Sequence, residues 1–412
     1  KMSEKRHITI ITANYYPEDT AIGLYTNQFS RFLVEKNMAV TVITGFPCYP
    51  QWAIYEDYKA LPNFVAEEVN GVKIIRYKQY VPEEVTFKGR VKMMLSLFYG
   101  TFRNITKIPQ TDLVISIIPY TLSALPAFFL AKRKKAKLWI HIQDFEFDLA
   151  LDSDVLNKEN FFFKILKKSI FSFESYLLNK ANIVSSISFR MLEKVQQKSK
   201  QKNNYYFPNW VSSENINPNK FTQHPYIDKN KFTLLYSGNI GEKQDWAFLK
   251  ELCQMLVEKK SIEVVIVGSG SYKNKLYHDL KAFPFVKFFE PIPYEELNNL
   301  LCSANVHFLF QKTKVVDTIM PSKILGMMAS EKPSIITGNE ASEVGRIMEK
   351  SEGGSYFYKN SVLEVFLEIE KLSNNTDLCE TTGINARKFI LTNFSEEKIL
   401  NDLYSKIEKE LS

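Results

Sequence analysis

The strongest constraint on the fold is a repeated alternation of short, continuously apolar runs with longer helical segments. In the first half of the chain the runs are HITIITANYYP, AVTVITGF, VKIIRY, DLVISIIP, KLWIHIQD and NIVSSIS, and in the second half FTLLYSGNIG, EVVIVGSGS, VKFFEPIP, VHFLFQ and PSIITG. Strands without polar alternation are buried on both faces, as in parallel sheets covered by helices. The sequence therefore predicts an α/β fold with doubly wound sheets, whose ligands bind at the carboxyl ends of the strands.

The alternation also predicts more than one domain. With 412 residues, the chain exceeds the length at which one hydrophobic core usually keeps growing. The alternation of strands and helices is interrupted at YFPNWVSSENINP, which is rich in Asn, Ser and Pro, and it resumes after this stretch. We predict an N-terminal domain over 1–210 and a second domain over 211–390. The amphipathic segment over 391–412 predicts a helix that packs back towards the N-terminal domain.

Composition excludes several classes of protein. Cysteines are scattered without CxxC spacing, which argues against a disulfide framework or a zinc site and fits a reducing cytoplasm. We expect no signal peptide and no membrane-spanning helix, because no suitable apolar run of about 18 residues is present. The net charge of +7 is modest, and the basic residues cluster with aromatic ones rather than along a polar stripe. That pattern disfavours nucleic-acid binding.

At the N-terminus of one predicted helix, in MPSKILGMMASEKPSII, a hydroxyl and a lysine are adjacent. The first N–H groups of a helix have no internal partner and carry partial positive charge, so Ser322 and Lys323 predict an anion site. The alternative is an ordinary N-cap at Ser322, with Lys323 solvated.

Two glycine-containing turns strengthen the anion hypothesis. In YSGNIGEKQDW, two glycines precede Lys243, and in VGSGSYKNKL two glycines bracket Ser269 ahead of Lys273. Glycine allows backbone amides to approach a ligand closely. Three such turns at strand ends predict a nucleoside-diphosphate site.

With these turns in this order, the chain resembles glycosyltransferase family 4. The resemblance is closest to the bacterial branch of colanic-acid, O-antigen and capsule transferases, through ITANYYPEDTAIGLYTNQF, VTVITGFPCYP, QDFEFD, YSGNIGEKQ and MPSKILGMMASEKPSI. It implies the GT-B fold, with two Rossmann-like domains facing a cleft, and retaining, metal-independent transfer from a UDP-sugar without a cofactor. The transferred sugar would be an N-acetylated hexosamine or a deoxyhexosamine, and the acceptor a polyprenyl-diphosphate-linked saccharide. The C-terminal domain would bind the donor and the N-terminal domain the acceptor.

The resemblance also implies a donor site, with two departures from the wider family. Asn239 replaces the common Arg after the first glycine turn. Gly326 replaces the second Glu of a Glu–seven residues–Glu motif, whose first Glu falls on Thr318 or beside it, at Asp317. The implied donor residues are Gly23, in the loop after the first strand, with Gly238, Asn239, Lys243, Gln244, Gly268, Ser269, Gly270, Lys273, Pro291, Ile292, Thr318, Pro321, Ser322 and Lys323.

An acidic strand end supplies the catalytic candidates. HIQDFEFD holds His141, Asp144, Glu146 and Asp148. The family has a His or Asp here that faces the sugar ring, and a carboxylate there can accept the proton of the acceptor or stabilise oxocarbenium charge. We predict Asp144 first and His141 second, and assign no nucleophile. The alternatives are a buried structural histidine at position 141 and a solvated loop or N-cap for the two later acids.

Two helical stretches mix aromatic and basic residues. FKGRVKMMLSLFYGTFRNITK and NFFFKILKKSIFSFESYLLNK contain almost no acid, which is typical of helices at an anionic membrane interface. We predict a cytoplasmic protein, peripheral on the inner face of the cell membrane, with membrane contacts at Lys92, Arg103, Lys164, Lys167 and Lys168. The alternative is that both helices pack in a domain core or a dimer contact.

Two other functions stay open on the same fold. One is a GT-B enzyme of the nucleotide-sugar epimerase type, and the other is a non-catalytic nucleotide-sugar-binding protein. A phosphorylase is disfavoured because the chain is short and offers no context for a pyridoxal-phosphate lysine.

Overall fold

A computed structural model describes residues 5–19, 21–83, 86–119, 121–144, 161–314, 322–359 and 361–412, with only the backbone of 87 and 161–167. The chain divides into two compact units. The first comprises residues 1–208 together with 400–412, and the second comprises residues 209–399.

The first unit is built on an eight-stranded sheet in the order β3-β4-β2-β1-β5-β6-β7-β8. All neighbouring pairs are parallel except β3 with β4. The chain runs outward from β1 on one side and then crosses to β5 on the other, which is the doubly wound topology. The strands are β1 His7–Ile11, β2 Ala39–Gly45, β3 Phe64–Val69, β4 Val72–Tyr77, β5 Leu113–Ile118, β6 Lys137–Ile142, β7 Ile183–Ser186 and β8 Asn204–Tyr206.

Helices cover this sheet because its central strands are apolar on both sides; every residue of β5, for example, is buried. The helices are α1 Ala21–Glu35, α2 Glu56–Lys59, α3 Phe87–Ile105, α4 Ala124–Lys134, α5 Phe161–Lys180 and α6 Phe189–Lys198.

The second unit has a six-stranded, all-parallel sheet in the order β11-β10-β9-β12-β13-β14. Its strands are β9 Phe232–Ser237, β10 Ile262–Val267, β11 Val286–Phe289, β12 Val306–Phe310, β13 Ser334–Thr337 and β14 Gly354–Phe357. The helices that follow are α7 Trp246–Leu256, α8 Lys273–Leu280, α9 Leu297–Ser303, α10 Ser322–Ala329, α11 Glu343–Ser351, α12 Val362–Asn374, α13 Thr376–Phe394 and α14 Glu396–Leu411.

From residue 400 onward, α14 belongs to the first unit. Glu410 accepts a hydrogen bond from Asn203 (3.0 Å), and Lys406 lies over the Tyr205 ring at 5.9 Å. Within the described ranges, no helix is long and apolar enough to span a membrane.

Candidate functional site

The second sheet reverses its strand order between β9 and β12, and the crevice at such a switch point is where doubly wound sheets bind ligands. The chain after β9 reaches the end of β12, where Gln244 and Gln311 form an antiparallel bridge. The amide of Asp245 donates to the carbonyl of Phe310 at 2.9 Å. The first residues after these two strands are therefore hydrogen-bonded to each other.

The two glycine turns predicted from the sequence lie together at this edge. The amide of Gly238 donates to Val267 O (2.9 Å), and the amide of Ile240 donates to Ser269 O (2.8 Å). Gly268 has φ +157°, and a Cβ there would lie 1.9 Å from Gly238 O. Only glycine allows this approach, so the two turns form one continuous backbone surface.

Lys323 is the second residue of α10 and follows the exposed Ser322. Lys323 is half-buried, and its Nζ donates to the Tyr236 hydroxyl (3.0 Å) and lies 4.5 Å from the centre of that ring. The same Nζ is 2.9 Å from the point that a Cβ on Gly238 would occupy. In turn, the Tyr236 hydroxyl donates to the carbonyl of Asn239 (2.5 Å), so one phenol links the lysine to the first glycine turn.

The electrostatics of Lys323 favour an anion. Burial lowers the pKa of Lys323 to about 8, because desolvation penalises the ammonium. Among the described residues, no carboxylate pairs with it. A half-buried cation at a helix N-terminus, where the positive end of the helix dipole lies, can be stabilised by a bound phosphate. The burial of Lys323 argues against the alternative that this lysine is freely solvated.

Other predicted donor residues already have partners within the protein. Gln244 Oε1 accepts from the amide of Gly241 (3.2 Å), so this side chain closes the first turn. Lys273 begins α8 and pairs with Glu290 at 2.5 Å. Lys243 is exposed, and its carbonyl accepts from the amide of Lys312. Of the three predicted lysines, Lys323 alone combines burial with the lack of a described carboxylate partner.

The remaining predicted donor positions are less informative. Asn239, Ser269 and Pro291 are exposed and Ile292 is half-buried, each just beyond a strand. Gly326 lies inside α10, where an added Cβ would be 3.1 Å from Leu301 Cδ1. Gly270, with φ +156°, lies in the second turn. Thr318, Pro321 and Asp317 lie outside the described residues.

In the first unit, His141 lies near the carboxyl end of β6 and is buried. Its Nδ1 is 2.8 Å from Ser185 Oγ, which also accepts from Trp139 Nε1, and its Nε2 is 3.0 Å from Gln143 Nε2. Burial lowers the pKa of His141 to about 3, so the ring is neutral. Neutral partners at both nitrogens favour a structural histidine. Asp144 follows two residues beyond the strand and is half-buried, whereas Glu146 and Asp148 lie outside the described residues.

Gly23 lies elsewhere than the sequence predicts, and a buried acid that the sequence does not indicate lies beside it. Gly23 lies in the first turn of α1 rather than in the preceding loop, and an added Cβ would be 2.9 Å from Glu18 Cβ. The buried carboxylate of Glu18 accepts from the amides of Cys48 (2.8 Å) and Tyr49 (2.9 Å) and from Asn14 Nδ2 (2.9 Å). Burial raises its pKa. A single loop acid carries no periodic signal, so the sequence offered no reason to select it.

Comparisons with known proteins agree with this architecture. Residues 219–389 match the model of the family described as Glycosyl transferases group 1. The chain is 30% identical over 364 residues to the putative colanic acid biosynthesis glycosyl transferase WcaI of Escherichia coli (strain K12), an alignment that covers 84% of this chain and 86% of WcaI.

An uncharacterized glycosyltransferase of Methanocaldococcus jannaschii is 22% identical over 99% of each chain. Among solved structures, the sucrose-phosphate synthase of Thermosynechococcus elongatus superposes with a TM-score of 0.73 at 15% identity, over 98% of this chain and 99% of that one. Anabaena HepE, solved with UDP and glucose, gives 0.68 at 12% identity, over 98% and 100%. These likenesses show the GT-B fold with its two Rossmann-like sheets. At the identity and coverage shared with WcaI, the chain belongs to the group 1 glycosyltransferases.

Proposed function

We propose that this glycosyltransferase moves a sugar, with retention of configuration, from a UDP-sugar to a lipid-linked saccharide in bacterial surface polysaccharide synthesis. The observation that carries the donor assignment is the half-buried ammonium of Lys323, which no described carboxylate neutralises. A nucleoside diphosphate supplies the missing negative charge at that point.

In this proposal the diphosphate lies against the first turn of α10 and the glycine turn after β9. Lys323 supplies the main charge, the backbone around Gly238 approaches the phosphates closely, and the exposed Lys243 adds a weaker, solvent-screened interaction. HepE, which is 12% identical to this chain, has been solved with UDP-glucose. That ligand was found in HepE and not in this protein, and it supports a UDP-sugar as the donor that we propose. The transferred sugar is an N-acetylated hexosamine or a deoxyhexosamine, and no metal ion or cofactor takes part.

Asp144 is the proposed catalytic group in the first unit. A half-buried carboxylate just beyond β6 can accept the proton of the acceptor hydroxyl or stabilise positive charge on the sugar ring. His141 orients the strand end through its hydrogen bonds rather than moving a proton, because its ring stays neutral at physiological pH.

The acceptor is proposed to be a polyprenyl-diphosphate-linked saccharide at the inner face of the membrane. The name of WcaI, a putative colanic acid transferase, supports a surface polysaccharide as the product class.

A panel of UDP-, GDP- and dTDP-sugars tests the donor. Thermal unfolding should shift upward with UDP-sugars, by RT ln(1 + [L]/Kd) in free energy. NMR of the product's anomeric carbon then tests retention. An inverted product, or stabilisation by GDP-sugars alone, would overturn the corresponding part of the proposal.

The Asp144→Asn variant tests the chemistry. We expect turnover to fall by about 10²-fold or more while UDP affinity stays near normal, since the group acts on the reacting centre and not on the diphosphate. Asp57→Asn makes the same change on an exposed helix and should keep full activity. Normal turnover in Asp144→Asn would exclude this residue from catalysis.

A further inference from the structure

The first unit carries an exposed apolar stripe along α3. Leu95, Tyr99 and Phe102 are 56%, 61% and 44% exposed, and Val91 is 39% exposed. Their spacing places them on one side of the helix. The opposite side buries Met93 and other core residues, so α3 is packed on the sheet and still leaves an apolar face outward.

The stripe continues onto two neighbouring helices through ring contacts. The rings of Phe102 on α3 and Phe129 on α4 are 6.2 Å apart, and Phe129 is 45% exposed. Beside it, the rings of Phe128 and Tyr176 on α5 are 6.3 Å apart, and Tyr176 is 48% exposed. We call this surface of α3, α4 and α5 the aromatic face. Contiguous exposed apolar surface of this kind marks an interaction site.

The exposed charges on the same helices have one sign. Neither α3 nor α4 contains an acidic residue, and the acid in α5, Glu174, is buried and pairs with Lys198 at 2.8 Å. Basic side chains that are exposed surround the aromatic face: Lys88, Lys92, Arg103, Lys132, Arg133, Lys168 and Lys180.

We infer that the aromatic face docks on an anionic lipid membrane. Aromatic and aliphatic side chains enter the interface while the surrounding ammonium and guanidinium groups meet lipid phosphates. The inference rests on the proposed function for its purpose, since it brings the enzyme to a lipid-linked acceptor. Of the membrane residues predicted from sequence, Lys92, Arg103 and Lys168 lie on these helices with described, exposed side chains, and the side chains of Lys164 and Lys167 lie outside the described set.

Charge also argues against a second copy of the chain as the occupant. A two-fold interface would place the basic residues around the aromatic face against those of the second copy, and like charges repel.

Helix α12 in the second unit provides a contrast: Leu363 and Leu367 are 55% and 52% exposed, but acidic residues lie between and beside them. Apolar exposure without basic surroundings therefore serves as a matched control.

Flotation with vesicles of equal phosphatidylglycerol and phosphatidylcholine, against phosphatidylcholine alone, tests the inference. Wild-type protein should bind the anionic vesicles at low salt and less at high salt. The double variant Leu95→Ser/Tyr99→Ser should lose about tenfold or more in binding. Leu363→Ser/Leu367→Ser, which changes an exposed apolar pair with the same i,i+4 spacing on α12, should bind like wild type.

The charge component has its own pair of variants. Lys88→Glu/Arg103→Glu should release the protein from anionic vesicles, whereas Lys260→Glu/Lys281→Glu, with the same charge change at exposed sites of the second unit, should retain most binding. Circular dichroism and UDP affinity should be unchanged in all four variants, which would show that folding and the donor site are intact.

Three results would overturn the docking inference. They are failure of the wild type to float with anionic vesicles, equal loss in the α3 and α12 variants, and a dimer that the α3 variants dissociate without any change in vesicle binding. Vesicle binding by a protein that binds no UDP would instead refute the proposed donor and leave the docking surface in place.

Discussion

Replacing Lys323 with methionine should weaken UDP binding and at the same time stabilise the ligand-free protein. Hydrogen bonds to charged groups contribute about 1.5–3 kcal/mol, so the variant should lose roughly 10- to 150-fold in UDP affinity. Methionine keeps a flexible apolar stem that can pack against the Tyr236 ring. Lys273→Met is the matched control, because that lysine already pairs with Glu290 and should matter less.

The gain in stability follows from the direction of the pKa shift. Burial moves the pKa of Lys323 from its ordinary value of 10.5 down to about 8. Between these values the unfolded chain binds more protons than the folded protein, so this group's contribution makes stability rise with pH across the window. Below about pH 8 the folded protein carries the full destabilisation of a desolvated ammonium. Methionine removes that destabilisation, which urea unfolding at neutral pH will detect.

Proton linkage gives a second readout for the same lysine. If only the ammonium binds diphosphate, UDP affinity should fall about tenfold between about pH 7 and about pH 9. Calorimetry in buffers of different ionisation enthalpy should show uptake of about half a proton per UDP near pH 8. Lys323→Met should abolish both effects. A wild-type affinity that is flat over this range, or a variant with unchanged affinity, would refute the phosphate role.

Two further substitutions test how the donor edge is held together. Tyr236→Phe removes the hydroxyl between Lys323 and the carbonyl of Asn239 and should weaken UDP binding by about 0.5–1.5 kcal/mol, measured by calorimetry. Unchanged affinity would show that the phenol does not position the lysine. Gly268→Ala places a Cβ 1.9 Å from Gly238 O at φ +157° and should destabilise the second unit by more than about 1 kcal/mol in urea unfolding. An unchanged transition would contradict the interlocked turns.

The central strands could be predicted from sequence because burial on both faces leaves an unbroken apolar run. VKIIRY, for example, is β4 itself. The strands that the sequence did not indicate lie at or near sheet edges. Strand β3, with the sequence FVAEEV, is antiparallel and alternates half-buried with exposed residues, and β8 and β14 are short and half-buried throughout. Their weaker burial leaves a weaker sequence signal.

The candidate site was predictable in part for a similar reason. Glycine and lysine after a strand indicate a close backbone approach and a charge, and the structure brings the two glycine turns together. The partner of each side chain could not be predicted, because it comes from distant sequence. Tyr236 is 87 positions from Lys323, and Ser185 is 44 positions from His141. Because of those contacts, Lys323 has a charge that no described carboxylate neutralises, whereas His141 is held neutral.

Buried charged groups with a structural role differ from the charged group at the proposed ligand site in whether an opposite charge pairs with them. Fully buried Arg76 is paired with Glu67, and buried Glu174 is paired with Lys198. Such pairing offsets most of the desolvation that isolated charges would suffer. In the described part of the second unit, the partner of Lys323 is the phenol of Tyr236 and not a carboxylate, and burial lowers the pKa of the lysine. Under the proposed function, a bound diphosphate offsets the destabilisation of this group, and this is why stability and UDP affinity should change in opposite directions in Lys323→Met.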